Sequence, residues 1–275
     1  EPREGEWDEA EFEHYREVLR ALAARNLEPF ITCWHFTLPV WVADKGGFEN
    51  PEIVELFARY CAKLVEELGE HCQHFATINE PNVYTTHGYI YGAWPPFKRA
   101  RLGWKKIGKE DGTSDRARAT ARFKHFFSYF RVERHLIQAH NAAYSAMKSV
   151  RENIDVSLVK HVHYFEADDR WDHQLRARVA AYFQTIRFLN KISGHLDSIG
   201  LNYYRHTKYG DNKNYLRTDM DWNIFPSGIF GALRLLGRYR KPIFISEAGI
   251  ADQDDDIRGD YVEVQLMGIA RALQA

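Results

Sequence analysis

Cysteine, long apolar segments and net charge are all scarce in this sequence. Its three cysteines, an odd number without a Cys-x-x-Cys pair, favour free buried thiols in a reducing, cytoplasmic compartment over a disulfide framework. No apolar run approaches the roughly 18 residues that a membrane-spanning helix needs. The 37 Lys and Arg residues nearly balance the 38 Asp and Glu residues, for a net charge of -1. This balance argues against nucleic acid or an anionic membrane as a partner and favours a small or neutral one.

Motifs for nucleotides, serine hydrolysis and metals are absent as well. Neither Gly-x-Gly-x-x-Gly nor Gly-x-x-x-x-Gly-Lys-Ser/Thr occurs, and no Gly-x-Ser-x-Gly elbow is found. His161 and His163 lie two residues apart, which places them on one face of a strand, but no third ligand follows at a useful spacing. We interpret them as structural or rim histidines, and no metal or organic cofactor is expected.

Amphipathic helical patterns alternate with short apolar strand patterns along the chain. Strands separated by helices pair in parallel through right-handed crossovers. The sequence therefore predicts an α/β protein with a parallel sheet, either an open doubly wound sheet or part of a (β/α)8 barrel. Strands are predicted over 27–36, 71–79, 154–162, 196–204 and 241–246, and helices over about 8–26, 50–69, 117–150, 173–192, 227–239 and 258–274.

A basic segment over 97–118 interrupts this alternation. Six Lys and Arg residues fall within its first thirteen positions, and it has little apolar periodicity. Because charge is balanced elsewhere, a solvated lid over the strand ends is a better interpretation than a nucleic-acid patch.

Polar residues follow the predicted strands, and two of them are carboxylates. In a barrel, the active site lies at the carboxyl ends of the strands. Glu80 and Glu247 end different strands and would there face each other, as glycoside hydrolysis requires. Carboxyl groups about 5 Å apart imply retention of anomeric configuration, and a separation of about 6.5 to 9.5 Å implies inversion. The residues alone leave both outcomes open.

Four longer segments follow one another in a recognisable order. They are TCWHFTLPVWVADKGGFENPE (32–52), FATINEPNVYTTHGYIYGAWPP (75–96), DSIGLNYY (197–204) and PIFISEAGIAD (242–252). Together they closely resemble glycoside hydrolase family 1, the β-glucosidase type. The resemblance implies that 1–275 is a single domain forming an incomplete (β/α)8 TIM barrel. About five of its eight βα units would be present, without the first two strands and the eighth.

The same resemblance implies an activity and roles for individual residues. Glu80 of TINEP would be the acid/base and Glu247 of ISEAG the nucleophile of a retaining β-glycosidase that acts by double displacement through a glycosyl-enzyme intermediate. The substrate would be a small-molecule glycoside with a terminal β-linked sugar. Asn79 would bind the 2-hydroxyl of the sugar, and His35 would bind other hydroxyls. Tyr204 would hydrogen-bond the nucleophile, and Asn202 would support the same wall of the site. Candidates for stacking or core packing are Trp34, Trp41 and Trp94.

Two departures from the family pattern bear on activity. Ala248 stands where the family usually has Asn, which removes an amide beside the nucleophile. The absent strands would carry the family's Gln, Arg, Glu and Trp that contact the sugar or the nucleophile. The chain would then be part of a longer or nicked protein, or a homo-oligomer or a complementing segment would cover the open edge of the sheet. The alternative function is a non-catalytic carbohydrate or small-ligand binding protein on the same scaffold.

Overall fold

The computed structural model describes residues 1–98, 115–210 and 215–275. Most of the predicted basic lid over 97–118 lies outside these residues. The contacts divide the chain into two compact units, and the prediction of one domain over 1–275 stays a prediction. The first unit comprises Glu1–Pro29, Cys33–Gln73 and Glu80–Asn153, and the second comprises Phe30–Thr32, His74–Asn79 and Ile154–Ala275.

The described strands form two sheets. Five of them make one sheet in the order β1-β2-β3-β5-β7, and β4 pairs with β6 in the other. The pairs β2/β3, β3/β5 and β5/β7 are parallel, which confirms the predicted parallel sheet. The strands are β1 Phe30–Trp34, β2 His74–Asn79, β3 Asp155–His161, β4 Tyr164–Ala167, β5 Ser198–Tyr203, β6 His206–Tyr209 and β7 Ile243–Ala248.

Helices lie where the amphipathic patterns predict them. Asp8 caps the first, because its side chain accepts hydrogen bonds from the backbone N–H groups of Ala10 and Glu11. The predicted helix over 173–192 consists of two α-helices joined by a π-helical turn over Tyr182–Ile186. The α-helices of the described residues are α1 Glu9–Ala23, α2 Val40–Asp44, α3 Ile53–Leu68, α4 Pro81–Thr86, α5 Asp115–Val150, α6 Trp171–Ala181, α7 Arg187–Ile192, α8 Gly228–Gly237 and α9 Arg258–Leu273.

The core of the second unit lies along the middle strands of its large sheet. Strands β2, β3 and β5 are buried along nearly their whole length, which is typical of the inner strands of a parallel sheet. Strand β7 ends the sheet, and four of its six residues are half-buried while the other two are exposed. The centre of the sheet is therefore buried, and its β7 edge is more exposed to solvent.

Some features of the fold lie outside the sequence predictions. The short sheet of β4 and β6 and the short helices α2 and α4 were not expected, because four to six residues give too little periodicity to read. The three cysteines are free and buried, as expected. Among the described residues, no helix combines the length and apolar character needed to cross a bilayer.

Candidate active site

Two strands of the second unit carry one extra residue just before a polar side chain. On β2, Ala76 and Asn79 are three positions apart, whereas their partners on β3 are two apart. On β7, Ile245 and Glu247 are two positions apart, whereas their partners on β5 are consecutive. Such β-bulges redirect nearby side chains and are common beside active sites. The bulge in each strand interrupts the alternation of side chains between the two faces of the sheet. It therefore helps to set the directions of the Asn79 and Glu247 side chains.

A chain of side-chain hydrogen bonds connects the two bulged strands through β5. The Ser246 hydroxyl donates to Asn202 Oδ1 at 2.7 Å, and Asn202 Nδ2 donates to Asn79 Oδ1 at 3.3 Å. Both asparagines are almost fully buried. Buried amides hold their orientation when each polar atom meets a complementary one. The structure thus brings together two of the predicted site residues, Asn79 and Asn202.

Glu247 has a defined hydrogen-bond partner in the same unit. The Tyr204 hydroxyl donates to Glu247 Oε2 at 2.9 Å. The Tyr204 ring lies nearly parallel to the His161 ring, with centroids 6.4 Å apart, and edge-on to Trp222 at 6.3 Å. The Arg205 guanidinium in turn lies 5.0 Å from the centre of the Trp222 ring. Aromatic neighbours on two sides restrict the phenol, so its hydroxyl can hold one carboxylate oxygen in place.

The second histidine of the His-x-His pair has a polar partner of its own. His163 Nε2 lies 2.8 Å from Thr207 Oγ1. Burial, together with the charges of Arg205 and His206, lowers the pKa of His163 to about 3, so the imidazole is neutral near pH 7. Within the described part of the chain, no three His, Cys, Asp or Glu side chains group as a metal site.

Glu80 directly follows Asn79 along the chain and belongs to the first unit. Its backbone is left-handed, with φ 44° and ψ 59°, and its residue surface is 8% exposed. Its carbonyl accepts the N–H groups of Val83 and Tyr84 at 2.9 and 3.2 Å, so it begins α4. A residue with a Cβ occupies this conformation at a cost, and such strain concentrates at functional positions. The turn fixes a buried carboxylate immediately after a strand.

His35 also belongs to the first unit and is exposed at the end of β1. Its ring lies edge-on to Phe36, with centroids 4.8 Å apart. Together with Trp34 and Tyr60 it lines a cavity of about 360 Å³ whose other walls are mainly apolar. His35 is therefore open to solvent in a region of mixed polarity.

The three tryptophans proposed for stacking lie in the first unit and differ in their surroundings. Trp34 is buried in the core. Trp41 donates its Nε1 hydrogen to the Glu1 carbonyl at 3.1 Å. Trp94 stacks on His87, with ring centroids 4.7 Å apart. Core packing accounts for Trp34, while Trp41 and Trp94 are only partly covered.

Sequence reasoning missed two residues that hold the site together. Ser246 contacts Asn202, and Trp222 packs on Tyr204. In a regular strand Ser246 and Glu247 would point to opposite faces, so the period-two pattern gave no reason to place both on the site. The sequence shows that Ser246 precedes Glu247, but it gives no sign of the β-bulge that brings both side chains to the site. Trp222 lies in a loop, where no periodicity predicts a partner.

Comparisons with known proteins agree with the predicted family. The sequence model described as "Glycosyl hydrolase family 1" matches residues 1–196. This range contains His35, Asn79 and Glu80 and ends before Glu247. A β-galactosidase of Sulfolobus acidocaldarius is 27% identical over 94% of this chain and 58% of its own length. A 1,4-β-D-glucan glucohydrolase of Thermotoga neapolitana is 26% identical over 98% of this chain and 70% of its own length.

Solved structures extend the likeness over the whole chain. A β-glycosidase from Pyrococcus horikoshii matches with a TM-score of 0.82 and 28% identity, over 100% of this chain and 65% of that one. A β-glucosidase from Thermotoga maritima in complex with deoxynojirimycin matches with a TM-score of 0.81 over 98% of this chain and 66% of that one, at 22% identity. The predicted fold class, an incomplete (β/α)8 barrel, is confirmed. With the family match covering well over half of its residues, this chain belongs to glycosyl hydrolase family 1.

Proposed function

We propose that this chain carries the catalytic site of a retaining β-glycosidase. Its substrate class is glycosides with a terminal β-linked sugar, β-glucosides among them. The main support is the hydrogen bond from Tyr204 to Glu247, beside the buried amide pair of Asn79 and Asn202. The names of its relatives, β-galactosidase and 1,4-β-D-glucan glucohydrolase, support the same class.

The proposed reaction has two displacements at one anomeric carbon. The Glu247 carboxylate attacks that carbon, the bond to the leaving oxygen breaks, and Glu80 donates its proton to the departing alcohol. Water then attacks the anomeric carbon of the glycosyl ester, Glu80 accepts a water proton, and Glu247 leaves as a carboxylate. Two inversions give net retention. The proposal requires a separation of about 5 Å between the two carboxyl groups.

The other predicted site residues bind the sugar in this proposal. Asn79 donates to the 2-hydroxyl, a contact that strengthens as the ring approaches the oxocarbenium-like transition state. Tyr204 holds one oxygen of Glu247, so the other oxygen can face the anomeric carbon. Asn202 supports Asn79, and His35 binds further hydroxyls. The reaction uses no metal or organic cofactor.

Location and assembly complete the proposal. The three free, buried thiols support a cytoplasmic location. The partial exposure of the edge strands β1 and β7 supports a homo-oligomer or a complementing segment that covers the open edge of the sheet.

Trapping of the covalent intermediate tests the nucleophile directly. A 2-deoxy-2-fluoro β-glucoside with a good leaving group slows both steps, because fluorine destabilises positive charge at the anomeric carbon. Intact-mass measurement should show one added fluoroglycosyl group, and peptide mapping should place it on Glu247. Labelling elsewhere, or no labelling of the folded protein, would contradict the mechanism.

Substitution of each carboxylate tests the two roles separately. On a 4-nitrophenyl β-glucoside, Glu247→Gln should lower kcat about 1,000-fold or more, and Glu80→Gln about 100- to 10,000-fold. Glu263→Gln, at an exposed position of α9, is the matched control and should retain full activity. A folded wild type that binds sugars but turns over none would instead support the non-catalytic alternative.

A further inference from the structure

We propose that Ser246 is a positioning residue for the sugar 2-hydroxyl, acting through Asn202 and Asn79. This inference rests on the proposed function, because it assigns a purpose to a hydrogen-bond chain of that site. Ser246 itself touches neither the substrate nor Glu80 in this proposal. Its role is to hold the Asn202 amide in place, and through that contact the amide of Asn79.

The order of donors and acceptors along the chain carries the inference. Asn202 Oδ1 is an acceptor only, so the Ser246 hydroxyl 2.7 Å away must donate to it. With its Oδ1 held by this hydroxyl, Asn202 turns its Nδ2 toward Asn79. The atom of Asn79 at 3.3 Å must then be Oδ1. Reversing either amide would place two donors or two acceptors face to face.

The consequence for Asn79 is a defined polarity. Its Oδ1 faces Asn202, and its Nδ2 lies on the other branch of the same amide. A sugar hydroxyl at that branch meets an N–H donor and accepts from it. If Oδ1 of Asn79 lay there instead, the sugar hydroxyl would have to donate a hydrogen bond to it. The Ser246 hydroxyl thus supports the arrangement in which Asn79 offers a donor to the substrate.

The bulge on β7 explains how one strand end serves two purposes. Asn202 is paired with Glu247, and Ser246 is the extra residue just before that pair. Because the bulge interrupts the alternation, consecutive residues contact the same neighbouring strand end: Ser246 binds Asn202, and Glu247 binds Tyr204. The nucleophile and the proposed 2-hydroxyl contact are therefore positioned from a single irregularity.

An isosteric pair of variants separates the hydroxyl from the shape of the side chain. Ser246→Thr keeps the donor, and Ser246→Val replaces it with a methyl group of the same size. We expect the valine variant to lose about three- to tenfold in kcat/KM on a 4-nitrophenyl β-glucoside, mainly in kcat, with KM nearly unchanged. The threonine variant should stay within about twofold of the wild type.

A substrate without the 2-hydroxyl shows whether the loss passes through that contact. On the corresponding 2-deoxy β-glucoside, Ser246→Val and the wild type should react equally. An equal loss on both substrates would overturn the proposal, because the effect would then be a general disturbance of β7. Ser157→Ala, which removes a buried hydroxyl bonded to the Phe75 carbonyl on the neighbouring strand, should affect both substrates alike.

The orientation of the amides can be measured without turnover. In amide NMR spectra, Ser246→Val should shift the side-chain NH2 signals of Asn202 and Asn79, while Ser246→Thr leaves them near their wild-type positions. Unchanged signals in the valine variant would overturn the inference even in an inactive protein. Failure of the proposed function has a different signature, because no glycoside would then be hydrolysed by the wild type whatever the spectra show.

Discussion

Strands β2 and β7 lie in the same sheet and are both bulged just before a polar residue, but their surroundings differ. Strand β2 is inside the sheet, and five of its six residues are buried. Strand β7 is at the edge, and its residues Ser246 and Ala248 are exposed. One strand thus presents Asn79 from a dry interior, and the other presents Glu247 from a partly solvated margin.

The difference shows two ways of holding a functional side chain. Around Asn79, close packing leaves little room for movement, so burial fixes the position of the side chain and the contact with Asn202 supports its amide orientation. On β7, burial contributes less, and the hydrogen bonds from Ser246 to Asn202 and from Tyr204 to Glu247 take its place. Precision at the edge therefore depends on polar contacts with β5.

The largest effect is expected from truncation in the central strand. Ile78 on β2 is fully buried, and Ile78→Ala should lower the free energy of unfolding by about 2 to 5 kcal/mol, since it leaves a cavity. The matched change Ile245→Ala lies on half-buried β7 and should cost less than half as much. Equilibrium urea denaturation of both variants measures the difference. Equal costs would remove the distinction between the two strands.

A smaller effect should come from adding volume between the centre and the edge. A Cβ on Gly200 of β5 would lie 2.7 Å from Val159 Cγ2 and 2.9 Å from Phe244 Cζ. Gly200→Ala should therefore lower the free energy of unfolding by about 1 to 3 kcal/mol. Gly194→Ala, with no atom within 4 Å of its new Cβ, is the control in the same denaturation experiment. A change near zero in the free energy of unfolding would mean that β7 moves easily to make room for the added methyl group.

The smallest effect is a pH dependence from His163, which follows the central strand β3. Its folded pKa of about 3 is below the value of about 6.5 of an unfolded imidazole. Below about pH 6.5 the unfolded chain gains a proton that the folded chain does not, so stability is complete above that pH and falls toward pH 3. Between pH 6 and 5 the expected loss is about 1 kcal/mol.

Comparison with a variant isolates this contribution. His163→Gln retains a polar partner for Thr207 and should flatten the difference in unfolding free energy between pH 6 and 5. His14→Gln, at an exposed position of α1, should leave that difference unchanged. The same slope in all three proteins would mean that the end of β3 is as well solvated as the edge of the sheet.

Much of the fold was predictable because its signals are local. The apolar run before Asn79 and the run before Glu247 both became strands, and the helix capped by Asp8 began where its side chain predicts. The candidate site residues were predictable because polar side chains at strand ends are conspicuous against apolar runs. The short sheet of β4 and β6 was not, since four-residue strands carry no readable period.

The sequence by itself determined the alternation of strands and helices, the parallel pairing and the family, because periodicity and motif spacing are properties of neighbouring residues. Only the tertiary structure decided that Ser246 meets Asn202 and that Tyr204 meets Glu247. Those contacts depend on the register between β5 and β7, which one inserted residue shifts. Because a register joins segments more than forty residues apart, no pattern within either strand contains it.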